Sequence, residues 1–167
     1  MKAEQTDHEI DRSGWRAGPW DSEPDRVEWR ASGFPCLAVR NHIGAWCGYV
    51  ELPPGHPLHG AGYDAANGRL EDGVHGGLTY AGACSGPVCH VPAPGESEDV
   101  WWLGFDCCHV GDNFPGRADP VWSFANEFVS AFGLAQTRAR AGEYRDLSFV
   151  RSEVESLAGQ LSRLADP

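Results

Sequence analysis

A chain of 167 residues is sized for one domain, and such a chain buries roughly 70% of its unfolded surface without needing disulfide staples. A formal net charge of −11 argues against the basic face that nucleic-acid phosphates require. No apolar run reaches the length of a membrane span, and the charged start (Lys2, Glu4, Asp7, Glu9, Asp11, Arg12) lacks the apolar stretch of a secretory signal, so a soluble, cytoplasmic protein is expected.

Residues 1–18, charged and carrying Gly14 and Gly18, predict a flexible tail ahead of a single domain over 19–167. Trp20-Asp21-Ser22-Glu23-Pro24-Asp25 reads as an Asx-type turn with Trp20 plugging the edge of the core. Cys36 to Arg40 and Ala45 to Leu52 are short, apolar and separated by Asn41-His42-Ile43-Gly44, which predicts a hairpin of buried strands. The Pro-rich stretch from Pro53 to Gly60 excludes helix and central strand, because proline removes a donor and fixes φ. Leu78 to Ala83 and Val100 to Cys107 are two further strand candidates, joined by a Gly/Pro/Ser/Glu loop over about 84–99.

The last third changes character. Asp119-Pro120 is a helix start and Gly133 a stop. Asp146 opens a second helix in which Leu147, Val150, Val154, Leu157, Leu161 and Leu164 recur at steps of three and four. That stripe predicts packing onto the sheet, with a homodimer seam as the alternative to a monomer. Strands first and helices last predict an α+β fold, an antiparallel sheet of short strands with two C-terminal helices on one face.

Lys2 is the one lysine against twelve arginines, which removes P-loop, Schiff-base and SxxK chemistry from the body of the chain. Six cysteines in a reducing compartment read as buried hydrophobes, ligands or nucleophiles before disulfides. No CxxC pair occurs. Cys84, Cys89 and His90 would need a distant fourth ligand to form a zinc knuckle, and a loop that happens to carry thiols is the favoured reading. Cys107 and Cys108 flank His109, but neighbours on a strand face opposite ways, which disfavours a cysteine nucleophile. Cys47 reads as core.

Histidines mark three Gly- or Pro-framed segments, at His56/His59, His75 and His109. The first offers HxxH spacing without a suitable carboxylate and reads as structural. Asp106-x-x-His109-x-x-Asp112 follows a strongly apolar strand and combines two carboxylates with an imidazole. Were His75 to fold against it, His75, His109 and Asp112 would make a three-ligand site for one divalent metal, open to water. The catalytic candidates are therefore His75, Asp106, His109 and Asp112. The competing roles are turn capping by the aspartates and local hydrogen bonding by His109.

The segments GPWDSEPD (18–25), WCGYVELPPGHPLHG (46–60), VHGGLTYAG (74–82) and WWLGFDCCHVGD (101–112) resemble an uncharacterised family of small bacteriophage and bacterial proteins. The likeness covers roughly residues 18–112 and the amphipathic end helix, and departs at the Cys/Pro-rich insert around 84–98. It implies a phage or mobile-element context with an accessory role, and carries no catalytic residues.

Two functions are consistent with these residues. One is a small hydrolase-like enzyme acting on a phosphoester or amide through the His/Asp site. The other is a non-enzymatic accessory protein that binds a nucleotide-like ligand or a host protein, with Trp101, Trp102, Tyr80 and Tyr63 available for stacking.

Overall fold

The computed structural model describes residues 10–90, 92–117 and 142–165. Five antiparallel strands form one sheet in the order β1-β2-β3-β5-β4: β1 Arg26–Ala31, β2 Phe34–Arg40, β3 Trp46–Leu52, β4 Tyr80–Gly82 and β5 Trp101–Asp106. A single turn of helix, α1 (Tyr63–Asn67), precedes β4, and a short parallel pair joins β6 (Asp112–Asn113) to β7 (Glu143–Tyr144). The long helix α2 spans Leu147–Ala165. The class is α+β, as the order of apolar patterns predicts. The expected helix from Asp119 to Gly133 lies outside the described residues.

The β2–β3 hairpin forms because Asn41 closes it. Its side chain accepts the amides of Ile43 and Ala45, and Gly44 takes φ +83°. Both strands are apolar nearly throughout because the sheet is covered on two sides. Cys36, Ala38, Trp46, Val50, Leu52, Leu103 and Phe105 face α2, whose Val150, Val154, Leu157, Ala158 and Leu161 are buried against them. Leu37, Val39, Cys47, Tyr49 and Trp102 face the other way and pack under Val88 and Val100. The stripe of α2 thus covers the chain's own sheet. Strand β1 escapes the apolar signature because it is an edge strand, with charged Arg26, Glu28 and Arg30 between half-buried neighbours.

A buried ion pair ties the N-terminal segment to the end helix. Arg40, fully buried at the end of β2, lies 2.6 Å from Glu23 Oε2 and donates to Gly44 O, with its guanidinium 4.3 Å from the Trp46 ring centre. Glu23 also accepts from the Tyr144 hydroxyl, Trp46 Nε1 and the amide of Leu147. The last contact satisfies a free amide at the start of α2, where Asp146 Oδ1 accepts a second from Phe149. Burial pushes the Glu23 carboxyl up, but the hydrogen bonds and the Arg40 charge outweigh it and hold it below the ordinary carboxylate range. Residues ahead of the sheet join the same knot: Arg12 pairs with Asp25, and Trp20, buried, donates to Arg16 O and meets Tyr144 edge-on at 5.1 Å.

The 84–99 segment covers the second face, and here one expectation is corrected. Cys84 and Cys89 form a disulfide, because Ser85 and Val88 exchange both backbone hydrogen bonds and fold the segment into a tight hairpin. The zinc-knuckle reading falls with it, since both sulfurs are bonded to each other and His90 turns to Glu51. Arg26 fastens the hairpin through the carbonyls of Pro87 and Cys89. Glu51, 6% exposed and next to the last residue of β3, makes close contact with His90. Burial raises Glu51 to about 7, the charge of Glu96 adding to the shift, Arg30 opposing it and Glu28 adding a little.

Two outcomes follow from these contacts. Glu23→Gln leaves Arg40 buried with its nearer counter-charge gone, and urea unfolding should show a loss of about 3 kcal/mol; a loss below about 1 kcal/mol would mean that Asp25, 3.4 Å from Arg40 Nε, suffices. For Glu51, folding holds a proton that the unfolded chain releases near its ordinary value. Stability therefore declines as pH rises through the window ending at about 7. Between pH 5 and pH 8, wild type should lose about 2 kcal/mol more than Glu51→Gln, read from thermal melts in matched buffers.

Candidate metal centre

The site lies where β5 ends. Asp106 is the last residue of that strand, the chain turns through Cys107 to Gly111, and Asp112 enters β6. Burial of Cys107 and exposure of Cys108 follow from the alternation of a chain leaving the sheet. His75 arrives from the loop between α1 and β4, where its amide donates to Glu153 Oε2 on α2 at 2.8 Å.

The structure brings three of the four candidate residues together. One ligand atom each from His75, His109 and Asp112 lie within 4.8 Å of one another. His75 Nε2 is 2.8 Å from Asp112 Oδ2, and His109 Nδ1 is 3.4 Å from the same oxygen. The imidazoles meet edge-on at 5.2 Å, and Phe149 of α2 packs on His75 at 5.4 Å. Asp106 stands on the other side of the His109 ring, its Oδ1 3.9 Å from Nε2. It is held by Thr79 Oγ1 at 2.9 Å and by the amide and thiol of Cys108.

Asp112 is the centre of the arrangement. It is 1% exposed, and Oδ2 accepts from His75 and from the amide of His109, while Arg145 Nε donates to Oδ1 at 3.2 Å. Burial pushes its carboxyl up, yet those donors and the His75 charge hold it below the ordinary range. Asp106 behaves alike: burial is outweighed by hydrogen bonds from Cys108 and Thr79 and by the charge of His109. Both aspartates are therefore ionised at neutral pH. The Cys108 thiol goes the other way, pushed up to about 12 by burial and by its bond to Asp106, which disfavours the thiolate.

Gly76 makes the approach of His109 possible. It adopts φ +70°, and a β-carbon there would lie 2.2 Å from the His109 ring. Gly77, at φ +79°, completes the reversal, and Asn67 anchors the next turn through both backbone groups of Leu78. Arg145, Glu153 and Thr79 did not stand out in the sequence. The glycines framing His75 did, and Gly76 is where the backbone closes on the His109 ring.

His56 and His59 stand apart from this site. His56 is buried, accepting from the Leu58 amide at Nδ1 and facing Leu161 O at Nε2, which fixes its proton on Nε2. His59 turns to Asp99 instead of joining it. Trp102 is fully buried and Tyr80 packs edge-on against Tyr49, so Trp102 drops out of the stacking surface expected for a planar ligand. Among the described residues, no helix is long and apolar enough to cross a membrane.

Chemically, two imidazole nitrogens and a carboxylate oxygen make a borderline donor set suited to zinc and similar divalent ions. Donors on a tetrahedral zinc ion stand about 3.3 Å apart; the separations of 2.8 and 3.4 Å from Asp112 Oδ2 lie near that value, and all three donor atoms fall within 4.8 Å.

Gly76→Ala tests the geometry. The added methyl cannot coexist with the ring, so His109 must leave its place; its imidazole NMR resonances should shift, while the chain stays folded at a cost of about 1–3 kcal/mol. Unchanged His109 resonances would refute the packing. Comparison with family models, curated proteins and solved structures finds no match for this chain.

Proposed function

We propose that the protein is a small metal-dependent hydrolase in which His75, His109 and Asp112 hold one divalent ion. The observation that carries this reading is the convergence of three donor atoms within 4.8 Å, one of which, His109 Nδ1, is buried without a hydrogen-bond partner. An orphaned buried nitrogen is costly unless a ligand completes it. Three protein ligands leave room for water, and a bound divalent ion lowers the pKa of that water enough to make hydroxide at neutral pH. Attack on a phosphoester or amide is the reaction class this supports.

The side chains around the donors fit that assignment. Arg145 and the His109 amide orient Asp112, and Phe149 packs edge-on against His75. The His109 ring is half-buried and the Cys108 side chain is exposed, which leaves a side for substrate. The 2.8 Å bond from His75 to Asp112 favours a second reading, a metal-free base oriented by a carboxylate.

Elemental analysis of tag-free protein separates the two. Near one equivalent of a single divalent metal is expected, falling to near zero in a folded His109→Ala variant, together with hydrolysis of a phosphoester or amide panel that a chelator abolishes. Hydrolysis without metal, lost in His75→Ala, would replace the metal centre by the dyad. Ligand-dependent thermal stabilisation with no turnover in either state would overturn both and leave a binding protein.

A further inference from the structure

The hairpin over the second face of the sheet is closed by one covalent bond. Cys84 is exposed and Cys89 half-buried, so the disulfide stands at the surface, where a thiolate can reach it. The non-covalent ties among the described residues are few. Ser85 and Val88 exchange two backbone hydrogen bonds, an isolated bridge that is marginal in water by itself. Val88 is buried in the cluster that holds Tyr49 and Trp102, and Arg26 donates to the carbonyls of Pro87 and Cys89. Further along, Arg30 pairs with Glu96 at the surface, where such a contact contributes little.

Against these ties stands what the hairpin closes over. His90 lies against Glu51 and meets the Trp102 ring edge-on at 5.7 Å. Yet Glu51 Oε2, both ring nitrogens of His90 and Trp102 Nε1 are buried without a hydrogen-bond partner. Buried polar atoms in that condition are costly, and water satisfies all four once the hairpin lifts. Burial also pushes the Glu51 carboxyl up to about 7, with Glu96 of the cover adding, Arg30 of β1 opposing and Glu28 of β1 adding a little. Closure thus works against these groups. The disulfide offsets that by limiting the conformations the segment gains on opening.

We propose that Cys84–Cys89 is a redox latch: its two-electron reduction by a dithiol frees the 84–90 hairpin to leave the sheet and opens Glu51 and Trp102 to water. A thiolate of the reductant attacks Cys84 Sγ, the bond between the two sulfurs breaks, and the Cys89 sulfur leaves as a thiolate that takes up a proton. The reductant's second thiolate then displaces the Cys84 sulfur from the mixed disulfide, giving two cysteine thiols and an oxidised dithiol. The pairing of β2, β3 and β5 and the packing of α2 on the other face do not involve this bond, so the fold persists with one face opened. The latch does not rest on the metal-centre reading.

The test uses the full chain with dithiothreitol as the dithiol. Alkylation read by mass spectrometry should label Cys84 and Cys89 only after reduction. Hydrogen exchange of the Ser85 and Val88 amides should then accelerate about 10-fold or more, while the β2 and β3 amides keep their protection. The Glu51 side-chain carboxyl, followed by carbon NMR, should titrate near 7 in the oxidised protein and near the ordinary value of about 4.3 in the reduced one. A chain carrying Cys84→Ala and Cys89→Ala should match the reduced protein and ignore the reductant. Should that variant not fold, reduced and alkylated wild type, which cannot re-form the bond, gives the same readouts. Three results overturn the proposal: a disulfide that the dithiol leaves intact in the folded protein, Ser85 and Val88 exchange unchanged by reduction, or loss of β2 and β3 protection on reduction, which would make the bond a staple of the whole fold.

Discussion

The buried contact between Arg40 and Glu23 is the constraint on which the rest of this structure depends. It joins the end of a central strand to a segment that precedes the sheet, and Glu23 then reaches the first turn of α2 and the Tyr144 hydroxyl. A charge pair removed from water needs partners for its remaining donors and acceptors, and here Gly44, Trp46, Tyr144 and Leu147 take up several of them, with Asp25 3.4 Å from Arg40 Nε. Tyr144 is followed at once by Arg145, which holds Asp112. The knot at one end of the sheet thereby sets the carboxylate at the centre of the candidate site.

That connection explains why α2 does more than cover the core. Its apolar face packs on β2 and β3, and its first turns meet the site from the side. Phe149 lies against His75, and Glu153 accepts the His75 amide. The loop bearing His75 has no strand to hold it, so the helix and the Gly76–His109 contact take that part. A site assembled from a loop, a strand end and a helix start needs all three docked before its donors converge.

The opposite face of the sheet solves a different problem. A helix covers one side; the other is sealed by a segment with almost no regular structure, which the Cys84–Cys89 bond and two carbonyl contacts from Arg26 keep folded. Glu51 under this cover is the polar exception in a strand otherwise apolar or aromatic, and it lies against His90. The sheet is buried twice with only one long described helix because this compact hairpin does the work of a second layer.

Local chemistry determined the elements whose evidence is short-range. The β2–β3 hairpin follows from two apolar runs around Asn41–Gly44, the end helix from a stripe spaced by three and four, and the Pro-rich loop from the donors that proline lacks. Those features need neighbours within a few residues, so the amino-acid order suffices to show them. Strand β1 was hidden because an edge strand carries charge, and the disulfide because pairing depends on a turn that no Cys spacing specifies. The nomination of His75, Asp106, His109 and Asp112 rested on residue type and glycine frames. Which of them converge was decided by tertiary structure, since His75 and Asp112 are 37 positions apart and meet only when α2, the Gly76 turn and the end of β5 have packed. The same packing set Asp106 on the Nε2 side of the His109 ring and Asp112 on its Nδ1 side, an arrangement that depends on how the turn after β5 folds back and that residue order alone does not specify.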